Sequence, residues 1–402
     1  MSRAIKTLLF STLYPSSVRP GHGIFIETRL RELLKTGKVE TKVVAPVPWF
    51  PFASERFGEY GKLAATPVFE YHNGINVFHP RYLLPPKIGM NIAPYILARG
   101  AMPTIRKIIR DGFDFDLIDA HYFYPDGVAA GMIAKSLGKP FVVTARGTDI
   151  SLFPEFPTPR RLIQIAASRA QASIGVCSAL TNALQNLGIE PDRLHVMRNG
   201  VDLERFRPLP QAEMRHQLGV DGSPLLLSVG NLIELKGHNI AIDGLKKLLD
   251  TSPNAKLIII GKGPERKNLE QQARELGLEN KVHFTGTLPN TELARWYSAA
   301  DALILCSSRE GWANVLLESM ACGTPVVATD IWGTPEVVSN PAAGRLMATR
   351  NATALVNSLQ DLFAAPPSRD AVRQHAECFS WEETSRAQIE LFLKIINMQT
   401  SM

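Results

Sequence analysis

Short, largely apolar runs alternate along the chain with stretches whose apolar positions recur every three or four residues, and this alternation limits the fold more than any other feature. A short run with no polar face is a strand buried on both sides, and the amphipathic stretch after it is the helix that crosses over and covers the sheet. Repeated, the pattern predicts parallel sheets flanked by helices. In the first half, strands are expected at 5–13, 42–46, 117–120, 141–144 and 172–177, with helices such as 25–35 and 128–137 between them. In the second half they are expected at 225–229, 256–260, 281–284, 302–305 and 325–328, each followed by a helix. The polar turn NGVDLERFRPLP at 199–210 interrupts both periods and marks a domain boundary. A chain of 402 residues has the length for two such domains. Doubly wound sheets take ligands at the carboxyl ends of their strands, so the expected site is the cleft between the two domains.

Composition removes several classes. With 45% hydrophobic and 20% charged residues, the chain can fill two cores, which excludes disorder as its main state. The 44 Lys and Arg against 38 Asp and Glu give a net charge of +6, an excess that solubility alone explains and that also suits an anionic substrate or lipid surface. The basic residues are scattered and no RNA or DNA module signature occurs, so nucleic acid is not an expected partner. Cys177, Cys306, Cys322 and Cys378 lack metal-type or CxxC spacing and read as reduced core thiols of a cytoplasmic protein.

No run approaches the ~18 apolar residues of a membrane span. The opening MSRAIKTLLFSTLYP has the basic-then-apolar order of a signal peptide, but Pro15 stops a short run and no small-residue cleavage site follows, so it reads as a first buried strand. Residues 49–110 differ in character. They contain WFPF, the turn-rich RYLLPPKIGMN, and a helical stretch carrying Arg99, Arg106, Lys107 and Arg110 beside Ile92, Tyr95, Leu97, Ile105 and Ile108. This is either an ordinary surface helix packed on its sheet or a basic amphipathic helix lying on a membrane.

Two glycine turns follow strands: Gly21-His22-Gly23 and Gly261-Lys262-Gly263. Such turns bring backbone N–H groups near phosphate. A dinucleotide fingerprint needs a small residue where Ile26 and Arg266 stand, and there is no GxxxxGK[ST], so each is equally a plain turn. EGWANVLLE at 310–318 is more specific. It follows the buried run DALILCSS and opens a helix, so Gly311 and the N–H groups near Ala313, Asn314 and Val315 face a ligand, and the helix dipole favours an anion there. Glu310 and Glu318 at its two ends suit polar groups at either end of one ligand, such as sugar hydroxyls; otherwise they are a capping and a surface glutamate.

The E-x7-E segment, running on into SMACGTPVVATDIWGTPEVV, resembles the donor-site signature of retaining GT-B glycosyltransferases, specifically glycosyltransferase family 4. The likeness extends to NGVD (199–202), SVGNLIELKGH (228–238), GKGP (261–264), Ala300-Asp301, DLIDAHYFYPDG and TARGTD, and so covers nearly the whole chain. It implies an α/β GT-B fold of two Rossmann-like doubly wound domains facing each other across a cleft. The acceptor-side domain would be 1–203, joined by the C-terminal helix 380–402, and the nucleotide-sugar domain 204–379. It further implies that Glu310 holds hydroxyls of the transferred sugar, Glu318 the ribose, and Lys236 the donor diphosphate. A compact ammonium suits that last task. His121, at the end of the LIDA strand, matches the histidine that faces the reacting sugar. Gly23 matches backbone approaching the donor, and the turn 284–288 would pass the nucleobase.

Departures from the pattern bear on the phosphates. Asn231 stands where the family's arginine accompanies the lysine, so either Asn231 donates hydrogen bonds or Arg146 or Lys262 supplies the charge. Arg146 replaces a common histidine, Lys262 a common aspartate, and Trp332 a common glycine. Asp149 would reach the acceptor or brace its loop. Asp114-Phe115-Asp116 has the form of a DxD metal motif, but it leads directly into a strand and the resemblance implies neither essential metal nor cofactor. The resemblance therefore implies a cytoplasmic enzyme, peripheral at the membrane if 49–110 binds lipid. It would move a sugar from a nucleoside-diphosphate sugar to a glycan or lipid-linked acceptor in cell-surface polysaccharide or glycolipid synthesis. The alternatives are a sugar-nucleotide epimerase or hydrolase of the same fold, and a catalytically idle scaffold.

Overall fold

The apolar runs form the centres of two separate sheets. The computed structural model describes residues 3–84 and 89–400. The chain divides into one unit that runs up to Arg198 and resumes at Trp381, and a second, Asn199–Ser380.

The first unit contains β1 (Ile5–Phe10), β2 (Val39–Val44), β3 (Val47–Pro48), β4 (Phe69–His72), β5 (Ile75–Phe78), β6 (Arg81–Tyr82), β7 (Leu117–His121), β8 (Phe141–Ala145), β9 (Ala172–Gly175) and β10 (Leu194–Val196). Its main sheet has the order β10-β9-β8-β7-β1-β2-β5-β4, and β3 pairs with β6 alongside. All pairs are parallel except β4 with β5. The order reverses between β1 and β7, so the loops leaving these two strands flank the switch point where doubly wound sheets bind ligands.

β1 ends at Phe10, short of the expected residue 13, because the Asp126 carboxylate takes both the N–H and the hydroxyl of Thr12 and draws the chain out of the ladder. The β4–β5 hairpin was not anticipated above, although its Asn73-Gly74 turn, with φ of 50° and 83°, carries the strongest short-range hairpin signal.

Of the stretch RYLLPPKIGMN, residues 85–88 lie outside the described residues. The helix Gly89–Arg110 follows; it buries Leu97, Ile105 and Ile108 and leaves Arg99, Arg106, Lys107 and Arg110 exposed. The closing helix, Trp381–Thr400, belongs to the first unit. Its Ile389, Phe392 and Ile395 join a buried cluster with Ile5, Leu33 and Leu117, each such side chain contributing roughly 1.5–3 kcal/mol by leaving water.

The second unit holds β11 (Leu225–Val229), β12 (Lys256–Ile260), β13 (Val282–Gly286), β14 (Ala302–Leu305), β15 (Val326–Thr329) and β16 (Gly344–Met347). Their order is β13-β12-β11-β14-β15-β16, wholly parallel, with the switch between β11 and β14. β16 was also not anticipated. A Cβ on Gly344 would stand 1.9 Å from the Val326 carbonyl oxygen, so only glycine lets that strand pair with β15.

The units divide at 198/199 and 380/381 rather than at the expected 203/204 and 379/380. The physical reason is bonding of residues 199–206 within the second unit. Asn199 donates to Asn314 (3.3 Å), the Val201 N–H donates to the Phe379 carbonyl (3.0 Å), and Arg373 donates to the carbonyls of Leu203 and Phe206 (3.2 and 2.6 Å). The four cysteines are free thiols; Cys177, Cys306 and Cys322 are buried, but Cys378 is exposed and is not the core thiol expected. Among the described residues no helix is long and apolar enough to cross a membrane.

Candidate functional site

In the second unit the loops leaving β11 and β14 meet. After β14 the chain runs through Cys306 and Ser307 to Glu310, and after β11 through Gly230 and Asn231 to Lys236. The Lys236 stem lies along Gly230, and its ammonium meets the Glu310 carboxylate at 2.5 Å, where Ser307 also donates a hydroxyl at 2.7 Å. Both charged side chains are mostly sheltered, 21% and 10% exposed, so they interact in a medium less polar than bulk water.

Three contacts fix the lysine turn against the end of β14. The Ser308 N–H donates to the Leu235 carbonyl (2.9 Å). Arg350 donates to the carbonyls of Cys306 (2.8 Å) and Glu234 (3.1 Å). Gly237, at φ 67°, admits no Cβ because the Cys306 carbonyl would lie 2.2 Å from it. His238 bridges Ser228 and the Asn231 carbonyl (2.9 and 3.2 Å), and burial pushes its imidazole down to about 4, so it is a neutral strut.

The helix Asn314–Ala321 starts beside this pair. The Asn314 N–H is engaged by the Trp312 carbonyl (3.1 Å) and its side chain by Asn199. Four residues on, Glu318 accepts a hydrogen bond from the buried Tyr297 hydroxyl at 2.8 Å. Burial pushes the Glu318 carboxyl up to about 7, with the Tyr297 hydrogen bond and Arg205 pulling the other way.

The glycines of Gly261-Lys262-Gly263 serve the backbone. A Cβ on either would strike the carbonyl oxygen of Gly230 (1.8 Å) or Leu232 (2.2 Å), and the Lys262 carbonyl accepts from the Leu232 N–H (2.9 Å). The side chains of Lys262 and Asn231 face solvent. Trp332 sits at φ 46°, a left-handed conformation costly for a bulky residue, which is where the family pattern has glycine.

In the first unit His121 ends β7 and is buried. Its Nδ1 accepts from Arg146 at 2.5 Å, and its Nε2 lies 3.4 Å from Asp119 Oδ2. Burial pushes the imidazole down to about 4 against the pull of Asp119. Arg146 is thus drawn to His121 within the first unit. Asp149 braces its loop: it accepts the N–H groups of Phe123 (2.7 Å), Arg146 (3.0 Å) and Gly147 (2.7 Å), and burial raises its pKa despite them. Gly23, at φ 69°, opens the helix Ile24–Lys35, where a Cβ would stand 2.4 Å from the Leu13 backbone.

Of the DxD pair, Asp114 meets Lys139 (2.7 Å) and Asp116 accepts the Lys6 N–H (2.8 Å), so both carboxylates are engaged within the protein. Sequence reasoning missed Ser307, Tyr297, Arg350, Asp119 and Gln388. Asp119 carried a signal, an acid in the middle of an apolar strand; the others carried none.

The model described as glycosyl transferases group 1 matches residues 210–378, and that of Glycosyltransferase Family 4 matches 21–205. The chain is 31% identical over 339 residues to a protein of Bacillus subtilis (strain 168) named as the teichuronic acid biosynthesis glycosyltransferase TuaC, covering 82% of each chain. It is 30% identical over 302 residues to the D-inositol 3-phosphate glycosyltransferase of Frankia alni, covering 69% of this chain and 74% of that one. Among solved structures it is similar to sucrose-phosphate synthase from Thermosynechococcus elongatus, with TM-score 0.76, 19% identity, and 98% and 100% of the two chains covered. It is also similar to Anabaena HepE solved in complex with UDP-glucose, with TM-score 0.72, 22% identity, and 97% and 99% covered. The chain therefore belongs to the glycosyl transferases of group 1 and family 4 and is a glycosyltransferase of GT-B fold.

Proposed function

We propose that the protein transfers a sugar from a nucleoside-diphosphate sugar, with retention of anomeric configuration and without a metal, to a glycan or lipid-linked acceptor used in cell-surface polysaccharide or glycolipid synthesis. The observation that carries this reading is the Lys236–Glu310 pair at the β11/β14 switch point. There a diphosphate would engage the ammonium, and the carboxylate would turn to sugar hydroxyls. Gly311 and the first N–H groups of the helix, at Ala313 and Val315, would face the phosphates, and Glu318 would accept the ribose hydroxyls. The relative named for teichuronic acid biosynthesis and the neighbour solved with UDP-glucose support a polymer acceptor and a UDP-sugar donor.

The reaction is a same-face substitution at the anomeric carbon. Its bond to the diphosphate oxygen breaks with the electron pair leaving on the diphosphate, the acceptor oxygen bonds to that carbon on the vacated face, and the acceptor's proton passes to the departing diphosphate. The protein contributes positioning and charge stabilisation. His121 would contact the transferred sugar. The test is transfer from a panel of UDP-, GDP- and ADP-sugars, read by nucleoside-diphosphate release and by NMR of the product's anomeric centre. Lys236→Ala or Glu310→Ala should cut turnover at least ~100-fold; near-normal transfer by either variant sinks the assignment, and an inverted product sinks the retaining mechanism.

A peripheral membrane site is a second reading, supported by exposed apolar side chains in one segment: Trp49, Phe52, Tyr60, Tyr71, Leu83 and Tyr95. On the helix that carries Tyr95, Arg99 and Arg106 flank a groove of about 320 Å³ also lined by Met102, Met132 and Ile133. Vesicles containing anionic phospholipid should bind the protein at low salt and release it at high salt; absence of binding at low salt removes this reading.

A further inference from the structure

The His121 ring does not stand alone. Arg146 holds a proton on every nitrogen, so its 2.5 Å contact makes His121 Nδ1 an acceptor and puts the ring proton on Nε2. That Nε2–H faces Asp119 Oδ2 at 3.4 Å. The same oxygen accepts from the Gln388 amide at 2.9 Å, and the Gln388 carbonyl oxygen accepts from Arg29 Nε at 3.0 Å. Arg29 in turn donates to the Met197 carbonyl (3.0 Å). All of these side chains are nearly fully buried, and among the described residues Asp119 Oδ1 has no hydrogen-bond partner, so the Gln388 bond and the imidazole fix how this carboxylate is turned. Gln388 is supplied by the closing helix, 269 residues away in sequence from Asp119.

We propose that Gln388, acting through Asp119 and anchored by Arg29, is a positioning residue that sets the orientation and tautomer of His121 for the transfer reaction; this rests on the role given to His121 under the proposed function. A glutamine fits the position because its one planar amide both donates to a carboxylate and accepts from a guanidinium. It separates two buried charges of opposite sign while hydrogen-bonding each, which neither a hydrocarbon nor a carboxylate does. The groups that face the imidazole are Asp119 on its own strand and Arg146 after β8; Arg29 and Gln388 stand behind Asp119.

The test uses the full chain and the panel of UDP-, GDP- and ADP-sugars. Gln388→Met keeps the volume and removes both bonds. It should lower kcat about tenfold to a hundredfold and leave KM for the nucleotide sugar within about twofold, since the groups proposed to hold the diphosphate and ribose, Lys236 and Glu318, are untouched. His121→Ala combined with Gln388→Met should be no slower than His121→Ala alone, because a residue acting through His121 has nothing left to act on. Additive losses in the double variant would overturn the inference.

In protein carrying ¹⁵N-histidine, with His121 assigned from the His121→Ala spectrum, the intact chain should show an Nε2–H ring that Gln388→Met renders exchange-broadened. An unaltered ring signal together with unaltered kcat would overturn it. If Gln388→Met does not fold, Gln388→Glu serves instead. The new carboxyl can bridge to Asp119 only by sharing a proton, so activity should fall with rising pH in that variant and not in the parent; identical profiles count against the inference. Near-normal turnover by His121→Ala sinks the underlying role of His121 and is distinguishable from every other outcome, because that variant then matches the parent.

Discussion

Replacing Glu318 by glutamine should strengthen the fold and weaken the ligand, and the two effects carry different pH signatures. Burial raises the Glu318 carboxyl from 4.5 to about 7. Between those values the folded protein keeps a proton that the unfolded chain has lost, so stability falls as pH rises from about 4.5 to about 7, and the deficit is complete above that. At about 1.4 kcal/mol per pH unit, the deficit approaches about 3 kcal/mol at pH 8 and is below about 1 kcal/mol at pH 5.

Glutamine keeps the shape and the acceptor for the Tyr297 hydroxyl but cannot ionise. At roughly 2–4 °C per kcal/mol for a unit of this size, Glu318→Gln should raise the melting temperature of the second unit by about 6–12 °C at pH 8 and by about a quarter of that at pH 5. Its affinity for UDP should fall at both, since an amide offers one acceptor oxygen, already engaged by Tyr297, where a carboxyl offers two. Differential scanning calorimetry and titration calorimetry at the two pH values measure this. A stability gain equal at pH 5 and pH 8, or a loss at pH 8, would show that Glu318 is not a carboxylate held against its own solvation.

Other outcomes follow from the same site. Ser307→Ala removes the second hydrogen bond on Glu310 and should cost about 1 kcal/mol, roughly a fivefold drop in kcat/KM without a change in fold. Asn231→Arg should tighten nucleoside-diphosphate binding about two- to fivefold at low salt and steepen its salt dependence, as titration calorimetry at two ionic strengths would read. Gly261→Ala should lower the melting temperature by several degrees because its Cβ meets the Gly230 carbonyl, whereas Lys262→Ala should leave it within about 1–2 °C.

The strands at 225–229, 256–260 and 302–305 were legible to the residue because they are almost wholly apolar, Ser228 and the leading Lys256 aside. Ends were less legible where a distant side chain decides them, as Asp126 does for β1. The same division runs through the site. Lys236, Glu310 and Glu318 are readable because each stands at a fixed offset from an apolar strand or helix start. Arg350 lies 44 residues from the Cys306 carbonyl it holds, and Gln388 lies 269 from Asp119, so neither pairing leaves a local pattern. His121 is the expected histidine at the end of its strand, and both its ring nitrogens have neighbours within the first unit, Arg146 and Asp119, which no local pattern signals together. Asp149 accepts the backbone N–H groups of Phe123, Arg146 and Gly147, bonds that its position in the sequence does not announce.

The turn at 261–263 has a consequence for variation. Its two glycines are pinned by the carbonyls of Gly230 and Leu232, while the lysine between them points into water. The chain therefore carries a rigid frame around one freely exchangeable position. Charge can be added, removed or reversed there without disturbing the backbone that carries Lys236, which makes residue 262 a place where relatives sharing this frame can diverge at almost no cost in folding.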